Sequence, residues 1–300
     1  MYPSSPPSPP EETWPPADIS ENGKGAYGRA IPAPPTYLPP AVPPYGEYTG
    51  SPRARQMRSW FRIPLERPII TYVILAVLVG IYAAMLLSPR VNDEFLLWGA
   101  KNNYEIMRGE WWRLLTATFL HGPPIHMFLN GYALFVIGLD LEGFFGRARF
   151  AAIYFISALG GSVASFAFSS NQGVGASGAI FGLVGALAVY FGLNRFLFGK
   201  MGQAQFWNII VVILINVGIG FSGIFPIDNS AHLGGLIVGV AVGFVLCPRY
   251  TLGSWVVPNV REVKNTNRSA LVWLATALIA IDVVLAFFVA LQLALAGIRV

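Results

Sequence analysis

Seven stretches of this 300-residue chain are apolar enough and long enough to cross a bilayer: roughly 69–88, 125–141, 149–169, 177–198, 205–222, 230–247 and 270–296. A spanning segment needs about 20 predominantly apolar residues. Hydrocarbon offers the backbone no hydrogen-bond partner, so runs of this length must satisfy their own N–H and C=O groups as helices. The reading is an all-α polytopic membrane protein. Composition agrees, with 54% hydrophobic and only 12% charged residues, which excludes an ordinary soluble domain.

Residues 1–55 are of another kind. Fifteen of the 23 prolines fall before Arg53, in runs such as Ser5-Pro6-Pro7-Ser8-Pro9-Pro10. Such a stretch cannot bury enough apolar surface to offset its ordering entropy, so it reads as a disordered, partly polyproline II tail. Within it Pro34-Pro35-Thr36-Tyr37 fits the PPxY pattern that WW domains read. The expected organisation is a cytoplasmic tail over 1–55, a membrane domain of six spans over 65–250, a linker over 251–268 and a seventh helix over 269–300. The sole cysteine, Cys247, reads as a small buried hydrophobe. A pI near 9.4 is explained by cations beside the spans, so nucleic acid is not an expected partner, whereas the lipid bilayer is. The arginines from Arg53 to Arg67, with Trp60 and Phe61, suit an anionic inner leaflet. No targeting segment is visible, which points to a bacterial cytoplasmic membrane.

Lys and Arg gather on the cytoplasmic side of short loops. Thirteen lie before span 1 or after spans 2, 4 and 6, from Arg53 to Arg268. Five lie on the other side: Arg90, Lys101, Arg108, Arg113 and Arg299. The expected orientation is N-terminus inside and C-terminus outside. Spans 2, 4 and 6 then run inward, and the polar residues that start them, His126 and Asn130, Ser177, and His232, share one depth near the outer surface.

Ionisable groups at such depth are costly, and a functional reading is the default. Serine hydroxyl is a weak nucleophile until a base takes its proton, and imidazole is the natural base near neutral pH. Gly178, Gly182 and Gly185 line one face of span 4, and Gly235, Gly239 and Gly243 line one face of span 6 with His232 a turn above. Small residues let membrane helices approach closely, so packing these stripes brings Ser177 and His232 together. No acid stands beside them, Asp228 being outside the helix top and Asp282 too deep, so a Ser–His dyad is expected. The glycines around Ser177 leave backbone room for a substrate. An oxyanion needs preorganised donors, and His126 and Asn130, spaced i and i+4, supply them together with the Ser177 N–H. The three histidines lack the cysteines or acids that would complete a metal site, and no metal or cofactor is expected.

In this order the motifs resemble the rhomboid intramembrane serine proteases over roughly residues 65 to 250: Trp112-Arg113, His121, His126-Met-Phe-Leu-Asn130, Gly175-Ala176-Ser177-Gly178, and Ala231-His232 followed by Gly235 and Gly239. The resemblance implies a six-helix rhomboid-like bundle plus, here, a seventh C-terminal transmembrane helix, and cleavage of transmembrane protein substrates. It implies Ser177 as nucleophile, His232 as base, His126 and Asn130 as oxyanion donors, Trp112 and Arg113 as a structural motif of the first loop, and His121 as a loop support. Phe181 stands where many relatives have a tyrosine that packs on the histidine. Inactive relatives often place proline before the serine, where this chain has Ala176, so an active serine endopeptidase is expected. The alternative is a silent relative that binds transmembrane helices. Asp282 reads either as a snorkelling or bundle-facing polar residue or as one that selects substrate. Residues 89–124, rich in Trp and Leu, read as an outer loop partly in the interface.

Overall fold

The computed structural model describes residues 60–63, 65–222, 227–257 and 260–298. The Pro-rich tail with Pro34–Tyr37, as well as Arg53, Arg55, Arg58 and Arg299, lies outside the described residues. In chain order a strand β1 (Trp60–Arg62) precedes helix α1 (Ile70–Met85). Three short helices follow, α2 (Pro89–Gly99), α3 (Asn103–Met107) and α4 (Arg113–Thr116). Then come α5 (Pro124–Phe145), α6 (Arg147–Phe168), α7 (Ser177–Leu193), α8 (Arg195–Phe221) and α9 (Asn229–Leu246). Strands β2 (Tyr250–Val257) and β3 (Val260–Asn265) lead into α10 (Ala270–Leu295).

The seven long helices stand on the seven apolar runs. Five are long and apolar enough to cross a membrane, and α1 and α7 are shorter apolar helices. Helix α5 continues four residues beyond its expected end. Helix α7 stops at Leu193, and only Asn194 separates it from α8, whose early turn is broken at Gly199 (φ 54°). The linker region 251–268 carries β2 and β3, which pair antiparallel, while β1 adds to β3 in parallel, Trp60 opposite Val260. That pairing spans some two hundred residues of sequence, so no local pattern announces it.

Helix α7 is the axis of the bundle. Twelve of its seventeen residues are buried, because it is apolar on every face and enclosed by α5, α6, α8 and α9. The predicted glycine stripes do meet. A Cβ on Gly235 would overlap the carbonyl of Gly178, one on Gly239 would overlap the backbone of Gly182, and one on Gly243 would lie 2.7 Å from Cα of Ala186. Near the top Gly161 of α6 joins them, packed on the Ala231 carbonyl and Gly178 Cα. Three backbones touch there with no side chain between.

The ends are tied by side chains on orphaned helix termini. The buried Glu142 carboxylate of α5 accepts from the N–H groups of Ile69 and Ile70 (both 2.8 Å) and from both the N–H and hydroxyl of Thr71 (both 2.7 Å), capping α1. Arg149 donates to the Leu246 carbonyl (2.9 Å) and Asn267 to those of Val245 (2.8 Å) and Cys247 (2.7 Å), closing α9. Cys247 is buried, as expected. Helix α10 packs on α6 and α3 through Val283, Phe287 and Leu291, with Trp111 edge-on to Phe287 and Phe288. Asp282 does not face the bundle; it lies on the exposed side of α10.

Candidate active site

Helices α7 and α9 begin at the same end of the bundle, and their first turns carry the chemistry. Ser177 is the first residue of α7, so the N–H groups of that turn have no partner within the helix and the positive end of its dipole faces outward. His232 lies in the first turn of α9, nine-tenths buried. Its Nε2 is 2.8 Å from Ser177 Oγ, a hydrogen bond across the glycine seam. The ring stacks on Phe181 at 4.2 Å between centroids and 15° between planes, one helical turn below Ser177.

His232 Nδ1 has no partner among the described residues. Asp228 is near, but its carboxylate is engaged elsewhere. One oxygen accepts from the Ala231 N–H at 3.1 Å as the N-cap of α9, and the other accepts from the Ser165 hydroxyl of α6. Asp228 therefore fixes where α9 starts and gives the His232 side chain no hydrogen bond.

Opposite the dyad, α5 presents His126 and Asn130 to the loop before Ser177. Gly175 has φ 123°, where a side chain is strained, and a Cβ there would lie 2.8 Å from both Cε1 and Nε2 of His126. Glycine thus allows the imidazole to lie against the backbone. The Asn130 amide donates to the His126 carbonyl at 3.0 Å, which occupies one of its two hydrogens. All four residues singled out by depth come together at one place.

The remaining sequence candidates form the support. His121 is buried and its Nε2 accepts from the Ala176 N–H at 3.4 Å, while Gly175 N–H donates to the Ala117 carbonyl at 2.9 Å. Burial, with His126 beside it, pushes the His121 pKa from 6.5 down to about 4, so its acceptor nitrogen is unprotonated at neutral pH. Arg113 is buried in ion pair with Glu110 and donates to the carbonyls of Leu97 and Ala100. Trp112 donates to the Trp98 carbonyl at 3.1 Å and stacks on Trp98. These two residues satisfy the C-terminal carbonyls of α2, and the guanidinium complements the negative end of that helix.

Charge counting marks Lys101 only as an outer cation. It is 2% exposed and donates to the carbonyls of Ser169 (2.7 Å) and Asn171 (2.9 Å), while its backbone pairs with Gly173. Asn103 adds bonds to Phe166 and Ser169, both 3.0 Å. Together they hold the end of α6 and the loop that delivers Ser177. Burial lowers the Lys101 pKa to about 8, against the opposing pull of Asp228. A lysine in a Trp- and Leu-rich loop is the one signal that could have marked it.

Comparison with known proteins bears on this site. A family model described as the Rhomboid domain matches residues 108–249, which include all four converging residues. Rhomboid protease GluP of Bacillus subtilis (strain 168) is 42% identical over 175 residues, covering 58% of this chain and 34% of that protein. RHOMBOID-like protein 5 of Arabidopsis thaliana is 39% identical over 173 residues, 56% of this chain and 54% of that one. Rhomboid protease AarA of Providencia stuartii is 31% identical over 209 residues, 60% of this chain and 73% of that one. The matched region thus spans about a third to a half of the length of the first two relatives.

Proposed function

The chain belongs to the rhomboid family, and from that premise we propose that it is a serine endopeptidase that cleaves transmembrane protein substrates near the outer surface of the membrane. The observation that carries the reading is the 2.8 Å contact between Ser177 Oγ and His232 Nε2. His232 accepts the Ser177 proton as Oγ adds to the scissile carbonyl. The resulting oxyanion takes hydrogen bonds from His126, from the second amide hydrogen of Asn130 and from the Ser177 N–H. Collapse expels the amine, to which His232 returns its proton, and leaves an ester on Ser177. Water then attacks the ester with His232 again as base, and the released acid regenerates Ser177. Phe181 and Asp228 hold the imidazole in place through stacking and through the helix start. The N-in orientation read from the charge bias puts this site on the outer side, and a reporter fused to either terminus tests that assignment.

The deciding experiment is cleavage of a reporter membrane protein by the parent, Ser177→Ala and His232→Ala. Loss of about 10⁴-fold or more is expected in each variant. Fluorophosphonate labelling that disappears in Ser177→Ala locates the nucleophile without any known substrate. Cleavage unchanged in both variants sinks the dyad. A parent that neither cleaves nor labels, yet captures transmembrane helices, supports the silent-binder alternative.

A further inference from the structure

Helix α10 carries an acid where lipid should be. Asp282 stands twelve residues after Ala270 and thirteen before Leu295, so at 1.5 Å per residue it is roughly 18 Å from either end. Its two-carbon side chain cannot reach the interface. It is exposed, and among the described residues it has neither hydrogen bond nor ion pair. A carboxyl at the bilayer centre is costly enough, about 3 kcal/mol on insertion scales, that such residues mark a contact.

The face around it has a heptad repeat. Leu271, Leu278 and Leu285 recur every seven residues, and Gln292 continues the series. Between them, four residues on from each leucine, stand Ala275, Asp282 and Val289. The leucines, Asp282, Val289 and Gln292 are all exposed, while the bundle takes the other side of α10 through Val272, Thr276 and Val283. Leucines at one core position of a heptad with a single polar residue at the other is the pattern that fixes register in paired helices.

We propose that α10 is a self-association helix whose seam through Leu278, Asp282 and Leu285 pairs with the same seam of a second copy of this chain. Two copies in one membrane share topology, so their α10 helices meet in parallel and each residue faces its twin at equal depth. Two carboxyls that share a proton make one hydrogen bond between them, and an amide is both donor and acceptor, so a twin residue can answer both Asp282 and Gln292. A foreign helix with a basic residue would answer Asp282 alone and would leave the leucine repeat and Gln292 unexplained. Polar contacts between helices act as the adhesive where lipid provides no hydrophobic drive.

The test uses the full chain in lipid vesicles, with Cys247→Ser as background and single cysteines introduced by Leu278→Cys or Val289→Cys. Mild oxidation is expected to cross-link two differently tagged copies at both positions. Ala277→Cys and Val284→Cys, exposed but off the seam, are expected to give little product. Asp282→Leu is expected to weaken pairing about tenfold by energy transfer between labelled copies, and Asp282→Asn to preserve it. Equal cross-linking on and off the seam, no homotypic product, a product with another membrane protein in cells, or undiminished pairing in Asp282→Leu overturns the proposal. Fluorophosphonate labelling of Ser177 reports whether each variant has kept its fold.

Discussion

Helices α8 and α9 are neighbours in the chain and both are apolar enough to span a membrane, yet the bundle uses them in opposite ways. Helix α9 buries His232, Gly235, Gly239, Val242, Gly243 and Leu246 in a line against α7. Helix α8 buries only Leu197, Gly202 and Gly220 among 27 residues. Apolar content does not choose neighbours in lipid, since lipid tails are as apolar as leucine; the spacing of small residues does. Glycine count does not decide it either. Gly218 in α8 is exposed and a Cβ there would meet nothing within 4 Å, whereas each seam glycine of α9 meets backbone. A glycine matters here when another backbone occupies the place of its side chain.

The largest effect that can break this contrast belongs to Gly239→Ala. The new Cβ would overlap the backbone of Gly182, which cannot turn aside as a side chain could, so the two helices must separate. Overpacking of this kind costs about 3 kcal/mol. The helices carry Ser177 and His232, so fluorophosphonate labelling should fall with stability in a detergent-unfolding series. A Gly239→Ala variant that unfolds and labels like the parent would refute the seam as the element that sets the dyad.

Lys101→Met asks whether the seam acts alone. The substitution preserves length and apolar contact but removes the ammonium donor from the carbonyls of Asn171 and of Ser169, the latter keeping its bond from Asn103. The loop ahead of Ser177 should loosen while the α7–α9 contact survives, so turnover is expected to drop by about 10- to 100-fold with little change in the unfolding of the bundle. Unaltered turnover would mean that the seam needs no help from the Lys101 loop.

Acid tests the same loop more gently. His121 is neutral in the folded chain with a pKa of about 4, while in the unfolded chain it titrates near 6.5. Between those values the unfolded state binds more protons. Its contribution is therefore full above about pH 6.5 and is lost as pH falls toward 4, roughly 1 kcal/mol by pH 5.5. Thermal unfolding of the parent and of His121→Asn at pH 7.5 and 5.5 should show a smaller acid penalty in the variant. Equal penalties would remove His121 from the account.

What could be read from the chain follows the same division. Helix positions, and the gathering of Ser177, His232, His126 and Asn130 at one end of the bundle, were legible because apolar length is a local quantity and each of these residues stands near the start of its apolar run. The meeting of Ser177 with His232 was legible because glycine spacing encodes a close approach directly. The roles of Lys101 and Glu142 were not. Each acts on backbone far away in sequence, Glu142 on Ile69 to Thr71 and Lys101 on Ser169 and Asn171, and a backbone carbonyl or N–H has no sequence signature. The small sheet escaped for a like reason, since β1 pairs with β3 across some two hundred residues of sequence.

Gly218→Ala is the smallest effect and the sharpest control. It is the same chemical change as Gly239→Ala, one methyl group added within an apolar spanning helix. In α8 the methyl enters open space beside the bundle, so no helix need move. Alanine also restricts the unfolded backbone and favours helix over glycine by up to about 1 kcal/mol. Stability should therefore be unchanged or slightly raised, and reporter cleavage should match the parent. A loss comparable to that of Gly239→Ala would show that α8 is held by contacts as demanding as those of the seam, and the contrast between the two helices would fall with it.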